Sequence, residues 1–236
     1  ASSILSIFQK LYAHSWGPRL EYILRNTLLT LLSEDARLQD ITDLLTNEKF
    51  RRKAVDRLQD PVLRAFWENE FERMPEKLRQ ESISPIPNKV GQFVTSPLVR
   101  RVLNARKSSF SIESVMNDRK ILLMNVSQGK LGEDTASLLG AMLITKIQLA
   151  AMNRVNIPEE ERQDFYLYID EFQNFATTSF VKILSEARKY RLNLTLANQY
   201  IAQLPEDVRT ALFGNAGSLI SFVVGAEDAR HLQREF

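Results

Sequence analysis

FYLYIDEFQNF, residues Phe165 to Phe175, is the stretch from which the rest of the chain is read. Five apolar and aromatic residues, Phe165 to Ile169, end abruptly in two adjacent carboxylates, Asp170 and Glu171. A short, uninterrupted apolar run fits a strand buried on both faces, as in a parallel sheet. In open α/β sheets, ligands bind beyond the carboxyl ends of the strands. Two acids placed there suit chemistry on a bound phosphate: one holds a magnesium ion, usually through water, and the other orients or deprotonates an attacking water. A second reading is a strand followed by an Asp that caps the next helix. On this stretch alone both readings stand.

Composition narrows the choice. The 31 basic and 29 acidic residues leave a formal net charge of +2, too even to argue for nucleic acid by itself. Basic residues clustered in space would escape such a count. There is no cysteine, which excludes disulfides and cysteine metal sites and suits a reducing compartment. His14 and His231 are the only imidazoles, which argues against a histidine-rich metal site or a Ser-His-Asp triad. The longest apolar stretch, in Leu138 to Ile144, falls far short of the roughly 20 residues that span a membrane. No basic segment followed by an apolar one opens the chain, so no signal peptide is expected. The start, ASSILSIF, lacks an initiator Met and the end, LQREF, stops within a helical pattern, so the sequence reads as a fragment of a longer protein.

Upstream of residue 106 every signal is helical. Apolar residues at helical spacing mark Ser2 to Tyr12, and Pro18 opens a second helix, with Leu20, Ile23, Leu24, Leu28 and Leu31 on one face. Arg19 and Arg25 interrupt it and are assigned to its solvated side. From 34 to 105 the helices are short and more polar. Asp40 and Asn47 stand as caps, Asp60-Pro61 and Pro75 as helix starts, and Asn88 to Val94 and Pro97 to Ala105 as a continuation. The run Arg51, Arg52, Lys53 and Arg57 is either a solvated face or a nucleic-acid contact. Beyond residue 106 the pattern alternates. Strands are expected at 120–126, 165–169, 192–197 and 219–224, with helices at 133–152, 179–190, 206–212 and from 227 onward. Strand–helix alternation of this kind means βαβ units and a parallel sheet. The expected organisation is therefore a helical part, 1–33, an all-α insertion, 34–105, and an α/β core, 106–236.

A nucleotide site needs a phosphate cradle, and no GxxxxGK[ST] occurs in these residues. Gly129-Lys130-Leu131-Gly132 is too short a loop to wrap a phosphate, lacks a following Ser or Thr, and reads as a tight turn. If the protein binds ATP, the cradle is expected upstream of residue 1 or in another chain. Arg188, with Lys189 and Arg191, falls where a helix ends, and the helix dipole is a sufficient structural reason for cations there. The functional alternative is an arginine finger that completes a neighbouring subunit's site. Asn198-Gln199 follows the next strand, where an amide can sense a γ-phosphate or an attacking water. A magnesium nuclease would need further acids at the strand ends, and the other strands end in Asn125-Val126-Ser127 and Asn198-Gln199.

YLYIDEFQNF, SEARKYRLNLTLANQYIAQL and FGNAGSLISFVVGAEDARHL, in that order, resemble the TraG/TraD-type conjugative coupling ATPases, the type IV secretion coupling proteins of the HerA/FtsK superfamily of RecA-like motors. WGPRLEYILRNTLLTLL and the helical block after it resemble that family's nucleotide-domain helix and all-α insertion. The resemblance implies a RecA-like P-loop NTPase core whose Walker A part is absent from these residues. It maps Walker B on Asp170, which would hold Mg2+, and on Glu171, which would activate water. It maps the arginine finger on Arg188 and the γ-phosphate-sensing amide on Gln199. It further implies ATP as the cofactor, DNA as a partner, a hexameric ring, relaxase and secretion-channel proteins as further partners, and a cytoplasmic place at the inner face of the bacterial inner membrane. The N-terminal transmembrane helices of many membrane-bound relatives are not in these residues. A different class, a non-hydrolysing module that recruits relaxosome or secretion partners through its helical insertion, is the competing expectation.

Overall fold

Short-range signals account for most of the helices. The computed structural model describes residues 2–11, 16–34, 36–87, 90–91, 96–103, 108–177, 180–233 and 235. Of the expectations above, His14, most of Asn88 to Val94 and the helix start at Ser179 lie outside these residues. The chain divides into two units, 1–108 and 109–236.

The first unit is helical throughout its described residues. Helix α1 (Ser2–Leu11) buries Leu5, Ile7 and Phe8. Helix α2 (Pro18–Ser33) starts on Pro18, whose missing N–H costs nothing in the first turn. Arg19 is exposed, and Arg25 pairs with Glu21 at 2.9 Å on the solvated side. Helices α3 (Asp40–Thr46), α4 (Glu48–Val55) and α5 (Pro61–Ala65) follow, and α5 runs into a π-helical turn, Phe66–Phe71. Helices α6 (Glu76–Ile83) and α7 (Pro97–Leu103) complete the unit. The turn carries the aromatic centre of the core. Trp67 packs edge-on against Phe66 and Phe71, and its indole N–H donates to Thr30 Oγ1 on α2 at 2.8 Å, which satisfies both buried polar groups.

Asn47 and Asp60 cap as their sequence positions predict: Asn47 accepts the Phe50 amide at 3.1 Å, and Asp60 accepts the Val62 amide at 2.8 Å. Asp40 differs. It lies inside α3, and its carboxylate accepts the Arg37 amide at 2.9 Å, so it closes the turn before the helix instead of capping it. The basic run in α4 is largely committed within the protein. Arg51 is buried and donates to Glu72 and to the carbonyls of Leu44 and Leu45. Arg52 pairs with Glu48, and Arg57 with Glu34.

The second unit is built on one long helix and one pair of strands. Its elements are α8 (Ile112–Asn117), α9 (Gln128–Leu131), α10 (Glu133–Met152), β1 (Phe165–Ile169), α11 (Phe180–Glu186), β2 (Leu192–Leu196), α12 (Glu206–Asn215) and α13 (Ala226–Leu232). Strands β1 and β2 pair in parallel, with Phe165 opposite Leu192 and Ile169 opposite Leu196. In this register Phe165, Leu167 and Ile169 share a face with Leu192, Leu194 and Leu196, and that face packs on α8, α10, α11 and α12. The opposite face carries Tyr166 and Tyr168, which are 60% and 71% exposed. The strand is therefore covered on one side only, and the expectation of burial on both faces is corrected.

A second correction concerns sheet size. The runs 120–126 and 219–224 carry no ladder; Leu122 and Val126 pack against the core, while Ile121 and Phe222, each 89% exposed, stand in the open. Among the described residues they have no neighbouring strand, and a strand without a neighbour leaves its N–H and C=O groups unpaired. The observed sheet has two parallel strands in a mostly helical chain. The helix expected over 179–190 changes hand-hold midway: α11 ends at Glu186 and a 3-10 turn covers Ala187–Tyr190. By length and apolar content, Glu133–Asn156 is the one stretch among the described residues that could cross a membrane. Here it is the core helix of the second unit, with Leu138, Leu139, Ala141, Ile144 and Ile147 buried.

Candidate functional site

The site forms where the parallel ladder runs out. Beyond β1 and β2 two more backbone bonds continue the pairing: Ala197 N–H donates to Ile169 C=O at 2.9 Å, and Phe172 N–H donates to Ala197 C=O at 2.8 Å. They pull residues 170–172 against the residues that follow β2. Between them the chain must reverse sharply, and Glu171 does this in the left-handed region, at φ 50 and ψ 46. A bulky residue rarely adopts that conformation, and it costs of order 1–3 kcal/mol when held there. The next residues, Phe172–Asn174, make a 3-10 turn anchored by Phe172 and Phe175, both buried. The anchoring is tight, because α10 passes the turn at Gly140, where an added Cβ would lie 2.3 Å from the Phe175 ring.

This turn sets the Glu171 carboxylate between two amides. Gln199 Nε2 donates to Glu171 Oε1 at 2.7 Å, and Asn174 Nδ2 donates to Oε2 at 3.1 Å. Asp170 is exposed beside it, and its Oδ1 accepts the Glu171 N–H at 2.9 Å. Asp170 thus neither caps a helix nor belongs to one; it closes a one-residue loop at the strand end. No Lys or Arg among the described residues forms an ion pair with either acid.

The donor set can be tested against a metal. No group of three His, Cys, Asp or Glu residues gathers among the described residues, so an all-protein cage is excluded there. One exposed carboxylate suits magnesium, which keeps several waters and is shared with substrate phosphates.

Of the residues singled out in the sequence, Asp170, Glu171 and Gln199 meet at the carboxyl ends of the two strands. Arg188 does not join them. It lies in the 3-10 turn that leads into β2, at the opposite end of the sheet, and its exposed side chain makes no hydrogen bond or ion pair among the described residues. Five strand residues at roughly 3.3 Å each put the length of the sheet between the two positions. Gly132, at φ 79, turns α9 into α10, and Gln128–Leu131 is a single helical turn with no phosphate-sized loop.

Two residues at or behind the site carry no motif signal. Asn174 reads in sequence as part of the turn after the acids; the 3-10 geometry of that turn sets its amide over the Glu171 carboxylate. Arg154 is 1% exposed and donates to the carbonyls of Gln163 and Tyr190 at 2.8 and 2.9 Å, and to Asn117 Oδ1 at 3.1 Å. It fixes the points where the chain enters β1 and the turn before β2. Burial, and secondarily the Arg162 charge, hold its guanidinium below the ordinary value.

A trough opens beside the acids, between the extended segment 119–128, α10 and β1, with Asp170, Glu171 and Asn174 at one end. Its volume, about 1420 Å³, exceeds the roughly 300–1,000 Å³ of an ordinary ligand pocket. It is an open groove with an apolar floor.

Residues 164–233 match the family described as the TraM recognition site of TraD and TraG. Over these residues the chain is similar to the TraD/TraG coupling proteins. The match spans β1 through α13 and so contains Asp170, Glu171, Asn174, Arg188 and Gln199. No curated protein and no solved structure matches the chain. Within the matched residues, the acid–amide cluster joins side chains from the carboxyl ends of both strands.

Proposed function

We propose that the chain supplies the acid–amide half of an ATPase site in a DNA-translocating conjugative coupling protein. The observation that carries this reading is the Gln199–Glu171 hydrogen bond, which joins the carboxyl ends of two parallel neighbouring strands. In that reading the two strands are part of a larger RecA-like sheet. Glu171 accepts the proton of a water attacking the γ-phosphate, and Gln199 exchanges its carboxylate partner for that phosphate. Asp170 is the residue that would hold Mg2+, through water; when bound, the ion neutralises phosphate charge. The glycine-rich cradle that grips the other phosphates is contributed from outside these residues. Arg188 points away from the site of its own chain and acts on a neighbour's nucleotide in a ring, a hexamer by family resemblance. DNA is held through its phosphates, so its binding weakens as salt rises. The cytoplasmic face of the inner membrane is the place where such a motor works.

The test is Glu171→Gln in the full-length protein. ATP binding is expected to persist while DNA-stimulated turnover falls at least about 100-fold, the range general-base loss produces. Normal turnover in that variant sinks the assignment.

A second reading rests on the family description itself. The matched residues are named for recognition of TraM, which favours a docking role for 164–233 toward a relaxosome partner, in contrast to docking through the helical insertion. The two roles are compatible on one segment. A TraM-type protein that binds the chain and is released by substitutions in α12 or α13, with turnover intact, separates them.

A further inference from the structure

We infer that Asn174 is the positioning residue for Glu171. The inference deepens the ATPase reading above and rests on it. The two donors on the Glu171 carboxylate are not equivalent. Gln199 reaches it from the next strand, 28 residues along the chain, whereas Asn174 reaches it from within the same turn, three residues away. Gln199 is exposed, and the proposed mechanism requires it to leave the carboxylate for a phosphate oxygen. Asn174 is half-buried on a turn pinned by Phe172 and Phe175.

The geometry gives each carboxylate oxygen one donor. With both amides in place the group is locked across two strands. When Gln199 departs, Oε1 is released with a lone pair to take a proton, while Asn174 keeps Oε2 and therefore the plane of the carboxylate. A general base must be aimed as well as basic, and a misplaced one loses much of its rate advantage. The 3-10 turn Phe172–Asn174 is what brings the two side chains together: residues three apart eclipse in such a turn, and the Asn174 N–H also donates to the Glu171 C=O at 3.0 Å.

The experiment uses the full-length protein with four variants: Asn174→Ala, Gln199→Ala, the double variant, and Glu171→Gln. Asn174→Ala is expected to lower kcat about 10-fold with KM for ATP and the melting temperature unchanged, since only the aim of the base is altered. In the Gln199→Ala background its effect should differ from its effect alone, because both amides restrain one carboxylate. A readout independent of turnover is the Asn174 side-chain amide resonance in this chain: it should shift on Glu171→Gln, while that of Asn215, which donates to Ala211 C=O, stays put. An unmoved Asn174 resonance, or strict additivity with unchanged kcat, overturns the inference. If Glu171→Gln turns over normally, the ATPase reading has failed; if it is inactive while Asn174→Ala is unaffected, only the role of Asn174 has failed.

Discussion

Arg154 shows how much one side chain can organise. It sits at the end of α10, in a 3-10 turn, and reaches two carbonyls that lie 27 residues apart in sequence, Gln163 and Tyr190. Replacing it with Met keeps much of the apolar stem but strands both carbonyls and the Asn117 side chain. Each stranded buried group costs about 1–3 kcal/mol, less whatever water recovers. Arg154→Met should therefore lower unfolding free energy by about 2–4 kcal/mol, read from urea denaturation of this chain. A change below about 0.5 kcal/mol, the ordinary surface value, means the guanidinium is not the clamp. Nothing in sequence marks this residue out. An Arg after a helix is common, and its partners are backbone atoms, which carry no residue identity. Asn174 was hidden for a similar reason: its contact depends on a 3-10 turn after the acids, which no residue type there announces. Asp170, Glu171 and Gln199 were legible because each directly follows an apolar run, and the ends of parallel neighbours must converge.

At the scale of elements, helix α8 offers a pH test. Ser111 caps it, accepting the Ser114 amide and donating to Glu113, whose other oxygen faces the Asn153 amide. The Ser111 hydroxyl foremost, then the residue's own backbone N–H, holds the Glu113 carboxyl below its ordinary value of 4.5. A carboxyl lowered in the folded state stabilises above that ordinary value, and the contribution is lost as pH falls through the lowered one. The difference in urea midpoint between wild type and Glu113→Gln should thus be present at pH 7 and be lost as pH falls below 4.5 and through the lowered value. It will be small, because Glu113 is exposed. A difference that grows on acidification contradicts the assignment. The same scale explains where the expected sheet went. Caps such as Asn47 and Asp60 are decided within three residues, and the sequence shows them directly. A strand is a relation between two segments. The runs 120–126 and 219–224 have the composition of strands, yet composition does not supply a neighbour, and among the described residues only 165–169 and 192–196 find each other.

For the whole molecule, the position of Arg188 at the far end of the sheet from Glu171 makes a prediction about assembly. If Arg188 completes a neighbour's site, Arg188→Ala and Glu171→Gln each inactivate a ring, but a mixed ring contains some interfaces with both residues intact. Mixing the two inactive proteins should restore about a quarter of turnover at equal proportions, the random fraction of intact interfaces, if catalysis there proceeds independently. Mixed rings that form but remain inactive rule out action in trans. The uncovered side of the second unit has a separate consequence, for handling and for life at high concentration. LISFVV, residues 219–224, holds no charge and no proline, is rich in β-branched and aromatic residues, and leaves Ile220, Phe222 and Val223 exposed. Six-residue segments of that kind stack into interdigitated sheets between molecules. Neighbouring charges are the usual gatekeepers, and the first that follows is Glu227. Refolding is therefore expected to compete with association through this segment, more so as protein concentration rises.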